Sequence, residues 1–234
     1  MSSFHIRWFA VIVLGTSLVS RAQMLPVGPQ NVVQLSASTS TEVQQDLLTL
    51  SMNTSRDGPD AATVQGQLKA ALDAALAEAK KTALAGQLDV RTGSFGLFPR
   101  YGRDGKITGW QGTAELLLEG RDFARISATA GRIQTLSVGS VAFGLSREQR
   151  TRSEADVQAA AIERFKARSA EIAKAFGFPG YSLREVSISA NDQGNVPRPR
   201  MMALEAKAAS DAAVPVEAGK SAVSVTVSGS IQLK

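Results

Sequence analysis

The stretch from Ser153 to Gly177, SEADVQAAAIERFKARSAEIAKAFG, is the longest unbroken helical pattern in the chain and limits the possible folds more than any other segment. With a helical period of about 3.6 residues, Val157, Ala161, Ile162, Phe165, Ser169, Ile172, Ala173 and Phe176 share one face, and Glu163, Lys166, Glu171 and Lys174 lie opposite. An apolar stripe about seven turns long needs an apolar partner of similar length, and the rest of the chain offers alternating strands. Ser153 with Asp156 three residues on predicts the N-terminal cap, and Gly177 supplies the left-handed residue that stops the helix. Ala160, Ala167 and Ala170 lie off the stripe, where a second surface, a subunit contact included, could approach closely.

The strands are read from their period of two. Asn31 to Ser38 places Val33, Leu35 and Ala37 on one side; Leu47 to Asn53 is a second strand, and the polar link TSTEVQQD between them suits a hairpin turn. Asp57-Gly58-Pro59-Asp60 then announces a helix with Val64, Leu68, Ala71, Leu72, Ala75, Leu76 and Ala79 on its inner face, closed by Gly86. Leu88 to Phe98 and Ile107 to Glu119 read as a hairpin around the polar turn Tyr101 to Gly105, followed by a short helix, Phe123 to Ala130, ended by Gly131. Val138 to Leu145, Tyr181 to Ser189 and Ser221 to Leu233 complete the strands, and Val223, Val225, Val227 and Ile231 line one face of the last. The fold class is therefore α+β: an antiparallel sheet with helices on one face, a split βαβ centre, and an extension made of the long helix and a C-terminal strand pair. Ala190 to Lys220, rich in Pro, Arg, Ala and Gly, is a long insertion between the last two strands.

Residues 1–22 read as a signal peptide: Arg7, an apolar run from Trp8 to Val19, and Ser20-Arg21-Ala22 as the cleavage site. The run is shorter than the ~20 residues of a membrane-spanning helix, so no stable membrane insertion is expected, and the protein is placed in the periplasm. Residues 23–30 are a short leader and 31–234 a single domain. Cleavage takes Arg7 and Arg21 from the 26 basic side chains and nothing from the 21 acidic ones, so the net charge falls from +5 to +3. That balance, with export, argues against a nucleic-acid partner. The chain has no Cys, and its one His, His5, lies in the signal peptide. A processed chain with neither excludes Ser-His-Asp and Cys-His catalysis, ordinary His/Cys zinc sites and His-ligated haem; catalytic, cofactor and metal residues are all expected to be none.

Several stretches, taken in order, resemble the SIMPL-domain family of exported bacterial proteins, which includes periplasmic immunogenic proteins and a group linked to oxidative-stress defence. They are Gln45-Asp46 before LLTLSMN, then DVRTGSFGLFPRY, GWQGTAELLLEGRDF, VGSVAFGLS, AAAIERFKARSAEIAKAFGF and PVEAGKSAVSVTVSGSIQL. The family usually has Pro where this chain has Gln45, and commonly Tyr and Asn where it has Trp110 and Thr113. The resemblance implies a non-enzymatic envelope protein that self-associates, supports envelope or oxidative-stress tolerance, and takes as partners further copies of itself or another envelope protein. The alternative is a periplasmic binding module for a small ligand or another envelope protein.

Glu115, Glu119 and Asp122 form a carboxylate cluster, with a solvent-side structural role preferred over acid-base work. Arg91, Arg100, Arg103 and Lys106 surround a turn, Arg147, Arg150 and Arg152 precede the long helix, and Arg198 and Arg200 lie in the insertion; together they are candidates for an anionic surface, against a bland reading as solvated loops. Trp110 reads as a packing anchor, and Met201 with Met202 as oxidisable or contact residues.

Overall fold

In the computed structural model, residues 30–191 and 216–234 are described, and they form two antiparallel sheets, each with its own helical cover. The strands are β1 (Val32–Gln44), β2 (Leu47–Gly58), β3 (Asp89–Tyr101), β4 (Ile107–Gly120), β5 (Ser137–Gly144), β6 (Tyr181–Asn191) and β7 (Lys220–Leu233); the helices are α1 (Ala61–Lys80), α2 (Phe123–Arg132) and α3 (Arg147–Ala175). One sheet has the order β3-β4-β2-β5 and the other β1-β7-β6. The α+β class and the split βαβ centre are as expected: β2-α1-β3-β4-α2-β5 gives a sheet in which β2 and β4 are central and every neighbour is antiparallel. The extension forms a sheet of its own.

Alternation places the core. On β2, Leu48, Leu50 and Met52, and on β4, Ala114, Leu116 and Leu118, point to the helices and are fully buried beneath Val64, Leu68 and Ala75 of α1 and Ile126 of α2. Asp60 caps α1, accepting from the backbone N–H of Thr63 at 2.8 Å. A T-shaped contact between Phe123 and Phe143, ring centres 5.6 Å apart, packs α2 against β5. In the second layer Val223, Val225, Val227 and Ile231 of β7 meet Val157, Ala161, Phe165 and Ala173 of α3.

Four local expectations are corrected. The first two strands are not a hairpin: β1 runs on to Gln44 and pairs along its whole length with β7, from Val32 opposite Gln232 to Gln44 opposite Lys220. Local order favours a hairpin, but the β1 face needs the cover of α3, which β7 shares. The long helix begins at Arg147, capped by Ser146, whose hydroxyl accepts from the backbone N–H of Gln149 at 3.2 Å. Ser153 instead lies within α3 in a buried stripe with Val157, Ala161, Phe165, Ser169 and Ala173, spaced by four as a twisted sheet requires. Phe176, assigned to the apolar face, is the C-cap and is 67% exposed, while Gly177 takes the left-handed conformation at φ 81° as expected. Finally, α1 ends at Lys80, and Gly86 (φ 72°) serves the turn between Leu84 and Leu88. Ala160, Ala167 and Ala170 are exposed.

Candidate functional site: a groove where the two sheets join

Gln45 and Asp46 are the only residues between β1 of one sheet and β2 of the other, and their side chains tie the two together. The Asp46 carboxylate accepts from the backbone N–H and from the hydroxyl of Ser146, both at 2.6 Å, and so fixes the cap of α3. Arg121, just after β4, lies 3.7 Å from Asp46 and also pairs with Glu148 in the first turn of α3. Gln45 donates its backbone N–H to the Gly219 carbonyl at 3.0 Å, accepts from Gly219 N–H at 3.1 Å, and donates its side-chain amide to the Ser221 hydroxyl at 3.0 Å. A proline at this position would lack the N–H and the side-chain amide, so glutamine makes bonds to the lead of β7 that proline could not.

Beside this junction lies an open groove of about 1060 Å³, bordered by Leu47, Gln87, Asp89, Gly120, Asp122 and Glu148 among others. Gly120 lines it in close contact with the next turn: a Cβ there would stand 2.0 Å from the carbonyl oxygen of Gln87, which also accepts from Asp122 N–H at 3.2 Å. The carboxylates of the rim are committed to structure. Asp122 caps α2 through Arg125 N–H at 2.9 Å, and that bond, with its pairing to the Arg125 side chain, holds its pKa below the ordinary value. Glu119 accepts from Thr49 at 3.1 Å and from Arg91 at 2.9 Å; Asp89 accepts from Gly86 N–H at 3.2 Å.

Of the three clustered acids, the structure brings Glu115 and Glu119 to the helix-free face of β4 and sends Asp122 to the cap of α2. Glu115 accepts from the Ser51 hydroxyl and from the N–H and hydroxyl of Ser94, both at 3.0 Å, and its side chain lies over Gly93. The Ser51 bond, followed by those from Ser94, holds its carboxyl below the ordinary value of 4.5. A carboxylate stabilised as the anion is a poor general acid near neutrality. Because its folded pKa is lowered, Glu115 contributes stability that is complete above the unfolded pKa and is lost as pH falls through the folded one. A thermal melt series from about pH 6 down to about pH 3 is expected to show a steeper loss in the wild type than in Glu115→Gln. Equal slopes would count against this role.

The predicted cationic group is dispersed. Arg91 pairs with Glu119; Arg100, Arg103 and Lys106 stand at the β3–β4 turn; Arg147, Arg150 and Arg152 lie on the first turns of α3. Trp110 is half-buried against the core of the four-stranded sheet, the packing role expected of it. Arg198, Arg200, Met201 and Met202 lie outside the described residues, as does the stretch read as a signal peptide. Among the described residues, no three His, Cys, Asp or Glu side chains are placed to share a metal ion, and no helix is long and apolar enough to cross a membrane. The sequence reading missed the junction itself: Asp46 and Ser146 are a hundred positions apart, and the one available signal was the polar-Asp pair that carries the resemblance.

Among individually curated proteins, none matches the chain. A family model does, over residues 33–231, nearly the whole span from β1 to β7, and its description is SIMPL, protein of unknown function (DUF541). The match takes in both sheets, all three helices and the Gln45-Asp46 junction, and the chain belongs to the SIMPL family.

Proposed function

We propose that the protein is an exported, non-enzymatic envelope protein that works as a homo-oligomer and contributes to envelope or oxidative-stress tolerance. The observation that carries the self-association is strand β6. It is an edge of its sheet, and Leu183 (53%), Val186 (43%) and Ile188 (43%) are exposed. These side chains lie on the same face as the buried Ile231 and Val227, since Leu183 is opposite Ile231 and Ile188 opposite Val227. Among the described residues they lack cover because α3, on the same face, is drawn towards the opposite edge of the sheet, where its Arg164 and Arg168 donate to the carbonyls of Ser38 and Ser36 of β1 at 3.3 and 3.2 Å.

An edge strand with no further strand beside it among the described residues, and with an apolar face, is a template for another strand. Two copies of β6 paired antiparallel about a two-fold axis through Ser187 set Val186 of each against Ile188 of the other, and no like charges face one another. Replacing Ile188 with lysine is expected to weaken self-association at least about tenfold, read as molar mass against concentration by light scattering. An unchanged mass would remove β6 from the account.

The groove at the junction favours a second reading, a binding module for a small polar ligand. Native mass spectrometry of the protein as purified separates the two: a retained small molecule, lost on substitution of Arg121, supports the binding module, whereas added mass in whole subunits supports the oligomer.

A further inference from the structure

The other concentration of exposed apolar side chains lies at the end of the β3–β4 hairpin. The last residue of β2 to pair is Gly58, opposite Trp110; Gly109 is still buried beside it, and beyond that point Arg100 and Tyr101 with Ile107 and Thr108 continue as a two-stranded ribbon roughly 7 Å past the end of β2. The ribbon is closed by a tight turn in which Gly102 N–H donates to the Lys106 carbonyl at 2.8 Å and Gly105 adopts φ 74°. Phe98 is 62% exposed, Tyr101 65% and Ile107 52%, and Tyr101 stands directly opposite Ile107. A ribbon of this kind has no core to contribute to, and an ordinary solvated turn carries small polar residues in such positions. Cations are interleaved with the apolar groups. Arg100, Arg103 and Lys106 outnumber the single acid of the tip, Asp104; Lys106 lies 3.8 Å from Asp104 and Arg100 3.8 Å from Asp57 at the sheet edge.

We propose that this hairpin tip docks on an anionic lipid surface. Phe98, Tyr101 and Ile107 enter the boundary between headgroups and acyl chains, and Arg100, Arg103 and Lys106 meet lipid phosphates. Tyrosine suits that depth because its ring is apolar and its hydroxyl remains wet, and binding of this type grows with apolar area and with attraction to anionic lipid. The surplus of positive charge selects an acidic membrane surface over a neutral one. The arrangement is peripheral, since the tip is too short to span a bilayer.

The test is co-sedimentation of the full chain with vesicles of phosphatidylcholine alone and of phosphatidylcholine mixed with phosphatidylglycerol. It is repeated on the chain from Gln23, so that the apolar run Trp8 to Val19 contributes nothing to the difference. The expected result is binding to the mixed vesicles that weakens at high salt, falls at least about tenfold in a Phe98→Ser, Tyr101→Ser, Ile107→Ser variant, and falls by a similar factor in an Arg100→Gln, Arg103→Gln, Lys106→Gln variant. All six side chains are exposed, so circular dichroism is expected to be unchanged in both. No binding by the wild type, or equal binding by either variant, overturns the proposal. So does a drop in oligomer mass in the serine variant with vesicle binding intact, which reassigns the tip to a contact between copies.

Discussion

Replacing Gly120 with alanine is expected to lower the stability of the protein by about 3 kcal/mol or more, one of the two largest effects of any single change considered. The new methyl group would stand 2.0 Å from the Gln87 oxygen, 2.4 Å from its carbonyl carbon and 2.9 Å from Leu88 N, all of them backbone atoms. A flexible side chain could swing aside, but this backbone is fixed. Leu88 is fully buried, and Gln87 N–H and Leu88 N–H both bond to the Leu84 carbonyl. In a domain of this size the loss corresponds to a melting temperature roughly 6–12 °C lower. Gly66→Ala is the matched control of opposite sign: nothing lies within 4 Å of its Cβ position, which is exposed in the middle of α1. Alanine there is expected to stabilise by about 0.5–1 kcal/mol through helix propensity and reduced freedom of the unfolded chain.

The second large effect is expected from Asp46→Ala. It removes the acceptor of two short bonds at once and leaves the N–H and hydroxyl of Ser146, a buried residue, without it. The cost of such orphaned groups at a helix start is about 2–4 kcal/mol. The change also has a local signature. Faster amide exchange is expected at Gln149 and Arg150, whose N–H groups bond to Ser146, with little change in β2 to β5. Arg121→Ala makes the contrast. The Arg121 side chain is 45% exposed and its partner Glu148 72%, so that ion pair contributes no more than about 1 kcal/mol. If Asp46→Ala and Arg121→Ala were equally mild, the junction would not be held by the carboxylate–Ser146 bonds.

These two positions show what the chain discloses locally and what it does not. The strands and α1 were legible because alternation and a stripe spaced by three and four are local properties, and Asp60 is an ordinary cap. The start of α3 was misread for a local reason. Two capping patterns compete, Ser146 with Gln149 and Ser153 with Asp156, and the intervening REQRTR has no apolar residue through which a stripe could reveal itself. Ser153, assigned to the cap, is instead a small residue that fits the buried row, as Ser169 does by donating back to the Phe165 carbonyl at 2.8 Å. The pairing of β1 with β7 was out of reach, because element order leaves strand partners open and these two are nearly the whole chain apart. The contact of Gly120 with Gln87 depends on a turn whose position the sequence does not specify.

The candidate sites divide in the same way. The structural reading of Glu115 was accessible from alternation, but the Ser51 and Ser94 donors that lower its pKa come from two neighbouring strands. The cations of the β3–β4 turn are visible as a charge cluster, while Phe98 and Ile107 read only as strand residues and Tyr101 as part of a polar turn. Tyr101 and Ile107 are exposed because β2 ends opposite Trp110, and Phe98, opposite Gln111, because it lies on the helix-free face of the sheet; both are matters of register.

The central claim is that the open face of β6 is completed by another copy of the chain. The most direct measurement is the molar mass of the purified protein by light scattering across a concentration series, beside the Ile188→Lys variant. The account predicts a wild-type mass that is a whole multiple of one subunit, no more than 24.7 kDa each, with the variant shifted toward the single subunit. A single-subunit mass for the wild type at every concentration would contradict it.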